Sequence, residues 1–347
     1  PKTVKDEVAK LPVTVLECDL NNRIDLRQDI IFTIDGDDTK DIDDAISIKK
    51  LPNQNYVLGV HIADVSYYVR EGTELDKEAL KRGTSVYLAD RVIPMLPREL
   101  SNGICSLNPN VDRLTISCIM EINPLGTIVN YQILPTVIHS FAQMTYKKVN
   151  KILDSDAALI QAYQPLVESI SLMNELSKIL NQLRSQNGSI NFETIEPKII
   201  FDENGKVKDI TIKERGVSEG IIEEFMLIAN QTIAAHFDRV ELPFIYRIHE
   251  TPDKEKIEGL FTFARGIGYP IKMPKVLSQK HLQELLLKVE DTKFEKVINM
   301  MMLRSMAKAK YSEHNLGHYG LAFEDYTHFT SPIRRYPDTT VHRLIRT

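Results

Sequence analysis

Seven aspartates and one lysine lie between Asp29 and Asp44, in a stretch whose centre reads Thr33-Ile-Asp-Gly-Asp-Asp-Thr-Lys-Asp-Ile-Asp-Asp44. Like charges at this density repel, so folding them together raises their pKa values or requires a cation. Asp35, Asp41, Asp43 and Asp44 have the apolar Ile34 and Ile42 set among them. That interleaving predicts a stretch drawn into the fold, not an acidic tail in water. Hard carboxylate oxygens in such a cluster suit Mg²⁺ or Mn²⁺. An EF-hand loop fails on register: counted from Asp35, the glycine position holds Lys40 and the bidentate glutamate position holds Ile46. Two readings stay open on the stretch alone. One is a solvated acidic loop. The other is a catalytic site in which carboxylates hold two ions that flank a phosphate.

Further candidates lie far from this stretch. Arg334 sits in Ser331-Pro-Ile-Arg-Arg-Tyr336, between Pro332 and Pro337, which stiffen the loop. A guanidinium held there can fork onto a phosphate; the alternative is an ion pair, for example with Asp338. Taken alone, Tyr87 and Phe192 read first as core aromatics and second as platforms for stacking, and Tyr146 reads equally as either. Glu223 opens a Glu-Glu-Phe-Met run inside a helical pattern. The run Met300-Met301-Met302 reads as core packing.

The elements that must position these groups change character along the chain. Residues 30 to 140 are rich in Val, Ile and Tyr, with strands predicted at 45–48, 56–62, 85–88, 114–122 and 128–139. A short helix at 74–81 ends at Gly83. From Thr145 the spacing is helical, with helices predicted at 157–185, 218–237, 253–267, 278–289 and 292–308. Between them, Glu203-Asn-Gly205 joins a hairpin of 199–201 and 207–212, and 245–248 reads as a buried strand. Strands followed by helices predict an α+β domain, with a mixed sheet from the N-terminal part packed against long helices from the C-terminal part.

Composition excludes some classes. With 347 residues, 43% hydrophobic and 26% charged, the chain can bury a large core. No run approaches the ~18 apolar residues of a membrane span, and the start carries no signal-peptide core. Cys18, Cys105 and Cys118 form no CxxC pair and read as reduced thiols, which fits a cytoplasmic protein. A net charge of −5 sits awkwardly with nucleic-acid binding. The aspartate stretch alone carries −6, which bound divalent ions would largely offset.

The spacing Asp-x5-Asp-x-Asp-Asp, followed by Ala45-Ile46, resembles the signature of the RNB exoribonuclease family, which includes RNase II, RNase R and the hydrolytic subunit of the exosome. Further blocks continue the resemblance in order. They are Ile62-Ala-Asp-Val-Ser66, Arg82-Gly-Thr-Ser-Val-Tyr87, Val92-Ile-Pro-Met-Leu-Pro97, Leu100-Ser-Asn102, Cys105-Ser-Leu-Asn-Pro109 and Asp112-Arg-Leu114. Gly317-His-Tyr-Gly-Leu321 and His328-Phe-Thr-Ser-Pro-Ile-Arg-Arg-Tyr-Pro-Asp338 close the set. The last block and Arg247-Ile-His-Glu250 are most similar to the bacterial RNase R branch.

The resemblance implies one large RNB-type catalytic domain over 26–347. Residues 1–25 are then a lead-in from OB-fold domains that flank such a domain, with the C-terminal end of the domain and a following OB fold outside the sequence. It implies a processive, Mg²⁺-dependent 3′→5′ exoribonuclease, with Mn²⁺ as a substitute, that hydrolyses single-stranded RNA to nucleoside monophosphates. Asp35 and Asp44 would bind the principal ion; Asp41 and Asp43 would complete a second site, with Asp43 the least replaceable. Arg334 would act on the phosphate with Asp43 and Asp41. Tyr87 and Phe192 would grip the terminal bases, with Tyr146 near the substrate, Glu223 at the terminal 2′-OH and Arg335 on a backbone phosphate or in a structural pair. Asp64 and Ser66 are expected to be structural. A monomer, with no membrane partner, is the expected state. The alternative reading is a non-catalytic RNA-binding regulator on the same fold.

Overall fold

The computed structural model describes residues 1–190, 197–212, 215–272, 274 and 277–346. The strands, in chain order, are Ile24–Asp25 (β1), Thr33–Asp35 (β2), Asp44–Lys50 (β3), Tyr56–Ala63 (β4), Val86–Tyr87 (β5), Val92–Ile93 (β6), Asp112–Ile122 (β7), Ile128–His139 (β8), Gln143–Thr145 (β9), Pro197–Phe201 (β10), Val207–Ile212 (β11), Tyr246–Ile248 (β12) and Lys310–Ser312 (β13). Five of them form the main sheet in the order β1-β8-β7-β4-β3. Every pair in it is antiparallel except β1 with β8. The sheet and the helices that accompany it make the fold α+β, as the pattern of strands then helices predicted.

The chain divides into two compact units. The first comprises Pro1–Leu180, Glu196–Ile233 and His328–Thr347 and holds the main sheet. Its central strands β4 and β7 are buried on both faces; β4 is nearly continuously apolar, whereas β7 alternates Leu114, Ile116, Cys118, Met120 and Ile122 with mostly polar residues, of which the buried Thr115 and Ser117 hydroxyls are satisfied by Thr136. One core cluster joins Ile31, Ile42, Ala45, Ala63, Leu75, Leu96, Leu107 and Ile333. Ile42 and Ile333 flank the aspartates and Arg334 in sequence, so their burial drags those polar groups to the edge of the core. The second unit comprises Asn181–Ile195 and Ala234–Thr327. Its core is helical, with Ile257, Leu260 and Phe261 against Leu282, Leu285, Ile298 and Met302. Gly317 there has φ +69, and a Cβ would meet the Phe323 carbonyl at 3.1 Å, so a backbone without a side chain is required.

Most predicted elements fall within two residues of the observed ones. The helix expected at 157–185 is two, Ala157–Ala162 and Gln164–Gln186, because Pro165 lacks the N–H needed to continue the first ladder and instead starts the second. The helix expected at 292–308 is shorter, Glu295–Ser305, and the methionine run divides across it: Met302 is buried while Met300 is 54% exposed. Two- and three-residue strands such as β2, β5 and β9 are too short to carry a period. Cys18 is exposed, Cys105 and Cys118 are buried, and all three are free thiols. Among the described residues no helix is long and apolar enough to cross a membrane.

Candidate active site

The aspartate stretch is built from its backbone outward. β2 pairs in parallel with β9, setting Asp35 opposite Thr145. Beyond Asp35 the chain leaves the sheet, exposes Asp37 and Asp38, and returns at Asp44, the first residue of β3. Ser106 clamps the return: its Oγ donates to the Lys40 carbonyl at 2.7 Å and accepts from the Ile42 N–H at 3.1 Å. The Ile42 carbonyl accepts from the Leu107 N–H and the Asp43 carbonyl from the Ala63 N–H. Arg113 in turn holds the Ser106 and Gly103 carbonyls. The blocks around Cys105 and Asp112 therefore serve as the frame of the aspartate loop. Nothing in the type of Ser106 announced this; a small hydroxyl that bridges two backbone segments is visible only once both are in place.

Arg334 reaches the aspartates from the other end of the chain. The Ile333 N–H donates to Asp43 Oδ1 at 2.8 Å, and Arg334 Nε lies 3.5 Å from Asp43 Oδ2. Its Nη2 donates to Ser331 Oγ, which fixes the fork. The guanidinium stays 45% exposed, whereas Asp43 is buried. One end of this pair is thus open to a ligand. The Arg334 carbonyl accepts from Thr84 Oγ1 and the Ser85 N–H, so the arginine loop and the segment leading to Tyr87 are tied together.

Arg335 has a different fate. It forks onto Asp338, Nε to Oδ2 at 2.9 Å and Nη2 to Oδ1 at 2.7 Å, and Asp338 also accepts the Ser331 N–H. Of the two readings of Arg335, a phosphate contact or a structural pair, these contacts are the structural pair, and the ion pair with Asp338 weighed for Arg334 is made by its neighbour. Both sit on one turn, but Arg335 is the residue whose side chain lies i to i+3 from Asp338 at the start of helix Tyr336–Ile345.

Tyr87 joins the site through its hydroxyl, which donates to Asp41 Oδ2 at 2.7 Å, while the residue remains 51% exposed. Tyr146 follows Thr145 at the end of β9. Burial, then the charges of Asp44 and Asp35, push its phenol pKa upward. Phe192 lies outside the described residues. Glu223 is paired with Arg215, which weakens its case as a free acceptor. Glu219, one turn earlier, acts on the Tyr146 phenol and was not singled out from sequence. It accepts from the Gly216 N–H and Ser218 Oγ, and Ser218 Oγ also reaches the Tyr146 carbonyl. Asp64 is structural as expected, accepting from Ser66 and from Arg23.

The electrostatics single out the aspartates. Burial raises the Asp43 pKa to about 8 against the pull of Arg334 and the Ile333 N–H. Burial also raises Asp35, with the charges of Asp44, Asp43 and Asp41 adding to the effect. Asp44 is raised by burial and partly offset by Arg334. Among the described residues, Asp35 Oδ2 is buried without a hydrogen-bond partner. Hard oxygen donors that lack compensating charge fit a divalent cation, and Asp35, Asp41, Asp43 and Asp44 would hold it. They do not stand as a ready cage: among the described residues no group of three or more His, Cys, Asp or Glu converges closely enough. Asp43 is engaged by Ile333 and Arg334, and Asp41 by Tyr87.

Residues 23–347 match the RNB domain. The chain is 51% identical over 347 residues to Ribonuclease R 1 of Lactococcus lactis, covering all of this chain and 42% of that protein. It is equally 51% identical to Ribonuclease R of Thermotoga maritima, of which it covers 49%. Its fold matches the solved structure of Mycoplasma genitalium RNase R in complex with ribose methylated single-stranded RNA with a TM-score of 0.92 at 31% identity, over 99% of this chain and 54% of that one. The chain spans about half the length, or somewhat less, of the curated relatives it matches.

Proposed function

The chain belongs to the RNB family, and from that premise we propose that it is the catalytic part of a 3′→5′ exoribonuclease that hydrolyses single-stranded RNA to 5′-nucleoside monophosphates. The observation that carries the reading is the meeting of Asp43 with Arg334, 291 positions apart in sequence, beside buried carboxylates that no cation among the described residues fully neutralises. A structural ion pair has no use for the surplus negative charge; a metal-dependent phosphodiesterase does. The relatives named Ribonuclease R, and an RNase R solved with single-stranded RNA, support the same class.

The chain's own residues divide the work. Bound Mg²⁺ at the four aspartates would supply a metal-activated water and charge stabilisation at the departing oxygen. Arg334, fixed by Ser331 and exposed at its tip, neutralises the charge that grows on the scissile phosphate. Asp43 holds Arg334 and the Ile333 backbone in register with the aspartate loop. Tyr87 offers its half-exposed ring to the terminal base, a contact worth about 1–3 kcal/mol and indifferent to base identity. Processive action follows when several upstream phosphates stay bound during each cut. In the whole protein, flanking OB folds would add RNA contacts.

The test is a product analysis. A 5′-labelled RNA and its DNA equivalent are incubated with the chain in Mg²⁺ and in EDTA. Progressive 3′ shortening with monophosphate release, for RNA and in Mg²⁺ only, is the expected result. RNA binding with no cleavage in Mg²⁺ or Mn²⁺, repeated with the full-length protein, refutes the enzyme reading in favour of an RNA-binding regulator.

A further inference from the structure

We infer that the Tyr87 hydroxyl is a positioning group for the Asp41 carboxylate, so that gripping the RNA end and loading the divalent cation are coupled. The inference rests on the proposed metal and RNA site. It adds a role for one atom of Tyr87 that base stacking does not require.

The geometry separates the two ends of the side chain. The residue as a whole is half exposed, yet its hydroxyl turns onto Asp41 Oδ2 at 2.7 Å. A stacking platform needs only the ring. The hydrogen bond has one donor, and a carboxylate offers about four lone-pair positions, so Asp41 keeps acceptor capacity for a cation.

Tyr87 is not free to wander. Val86 and Tyr87 pair with Ile93 and Val92, and Leu88 N–H closes the hairpin onto the Arg91 carbonyl. Ser85 Oγ accepts the Met95 N–H, and Ser85 N–H with Thr84 Oγ1 holds the Arg334 carbonyl. On the other side, the residues next to Asp41 are clamped by Ser106. The Tyr87–Asp41 bond therefore links two anchored segments, one bearing the aromatic platform and Arg334, the other bearing the carboxylates. Hydrogen-bond partners of ligating carboxylates fix the orientation of the ligand, and their loss typically weakens metal binding by 10–100-fold. Coupling of this kind is reciprocal: whatever orders Tyr87 favours the cation, and the cation favours the ordered Tyr87.

Tyr87→Phe keeps the ring and removes the hydroxyl. Mn²⁺ binding is titrated by calorimetry for wild type, Tyr87→Phe, Asp41→Ala and the double variant, with and without a ribose-methylated oligonucleotide. RNA affinity is measured in EDTA. The expected result is about tenfold weaker Mn²⁺ binding in Tyr87→Phe, RNA affinity in EDTA within about twofold of wild type, and a double variant no weaker than Asp41→Ala. Turnover of Tyr87→Phe should fall at limiting Mn²⁺ and recover as Mn²⁺ is raised, with KM for RNA little changed. Equal Mn²⁺ affinity in wild type and Tyr87→Phe overturns the inference and leaves the metal site standing. Loss of RNA affinity in EDTA also overturns it, by showing that the hydroxyl serves RNA directly. Wild-type Mn²⁺ binding that ignores Asp41→Ala removes the metal role of Asp41, and the inference falls with it.

Discussion

Two buried carboxylates in the same unit face opposite electrostatic conditions. Asp64 is enclosed by cations: Arg23 lies 2.6 Å away and Arg346 is also paired with it. Burial alone would raise its pKa, but the charges of Arg346 and Arg23 outweigh it, and the carboxyl titrates below its ordinary value. Asp43 is buried as deeply, yet its one arginine stands at 3.5 Å with its tip in solvent, and the carboxyl is raised to about 8. Asp35 beside it has a buried oxygen with no hydrogen-bond partner among the described residues. A carboxylate matched within the chain serves the fold. One left unmatched among its own kind marks a place where a ligand is to complete the charge balance.

Substitution breaks the contrast most sharply at Asp43. Asp43→Asn is expected to reduce RNA cleavage at least about a thousandfold, since several kcal/mol of transition-state stabilisation depend on the site. RNA affinity in EDTA should change little, because phosphate and stacking contacts supply it. A comparable loss of binding and cleavage would remove the role assigned to Asp43.

Next in size is a reversal of sign in stability. Asp64→Ala leaves the Arg23 side chain buried without its carboxylate and Arg346 without its partner, and should cost about 3–5 kcal/mol in urea unfolding. Asp43→Asn, measured in EDTA, should raise the midpoint, because it removes a carboxyl whose ionisation the interior opposes while an amide oxygen can still accept the Ile333 N–H. If both variants destabilise to the same degree, the distinction between matched and unmatched carboxylates fails.

The pH dependence should separate the pair without changing shape. Asp43 has a folded pKa above the ordinary 3.8, so the folded state holds its proton longer than the unfolded chain. Its contribution is fully present below about pH 4 and is lost as pH rises through about 8. Asp64 is depressed, so its contribution is present above 3.8 and is lost as pH falls below that value. In EDTA, wild type minus Asp43→Asn should show stability that declines from pH 4 to 8. Wild type minus Asp64→Asn should show stability that declines only on the acid side. Parallel difference curves would contradict the assigned shifts.

The smallest effect compares neighbours. Arg335→Lys keeps a charge but loses the fork on Asp338, at a cost of about 1 kcal/mol, with RNA affinity unchanged. Arg334→Lys should leave stability nearly unchanged and reduce cleavage more than tenfold. An RNA-affinity loss in Arg335→Lys would restore the phosphate role that its pairing argues against.

Legibility differed by element for physical reasons. The long strands β7 and β8 and the helix Val217–Arg239 could be read because each sustains one preference over ten or more residues, β-branched and apolar in the strands, helix-forming and apolar in the helix. The break at Tyr163 was readable too, since Pro165 stood in view, but the helical spacing on both sides hid it. β2 and β9 carried too few residues for a period, although they set Asp35 beside Tyr146. Glu223 is named by the family resemblance, while Glu219 on the same helical run has no spacing or charge that sets it apart in the sequence. Only the contacts of Tyr146 and Ser218 do so.

Residue types and their order, taken alone, already determined the density of carboxylates, the apolar Ile34 and Ile42 that would bury them, the family likeness and the α+β class. These depend on local composition and on patterns that hold wherever the chain goes. Partnerships were decided by tertiary structure. That Arg334 meets Asp43, that Ser106 frames the aspartate loop, and that the Tyr87 hydroxyl reaches Asp41 are all contacts across tens to hundreds of residues, and the local turn that hands Asp338 to Arg335 is what leaves Arg334 for Asp43. Side-chain charge and size fix what a group can bind; only the packed backbone fixes which groups come within the three or so ångströms where hydrogen bonds and ion pairs act.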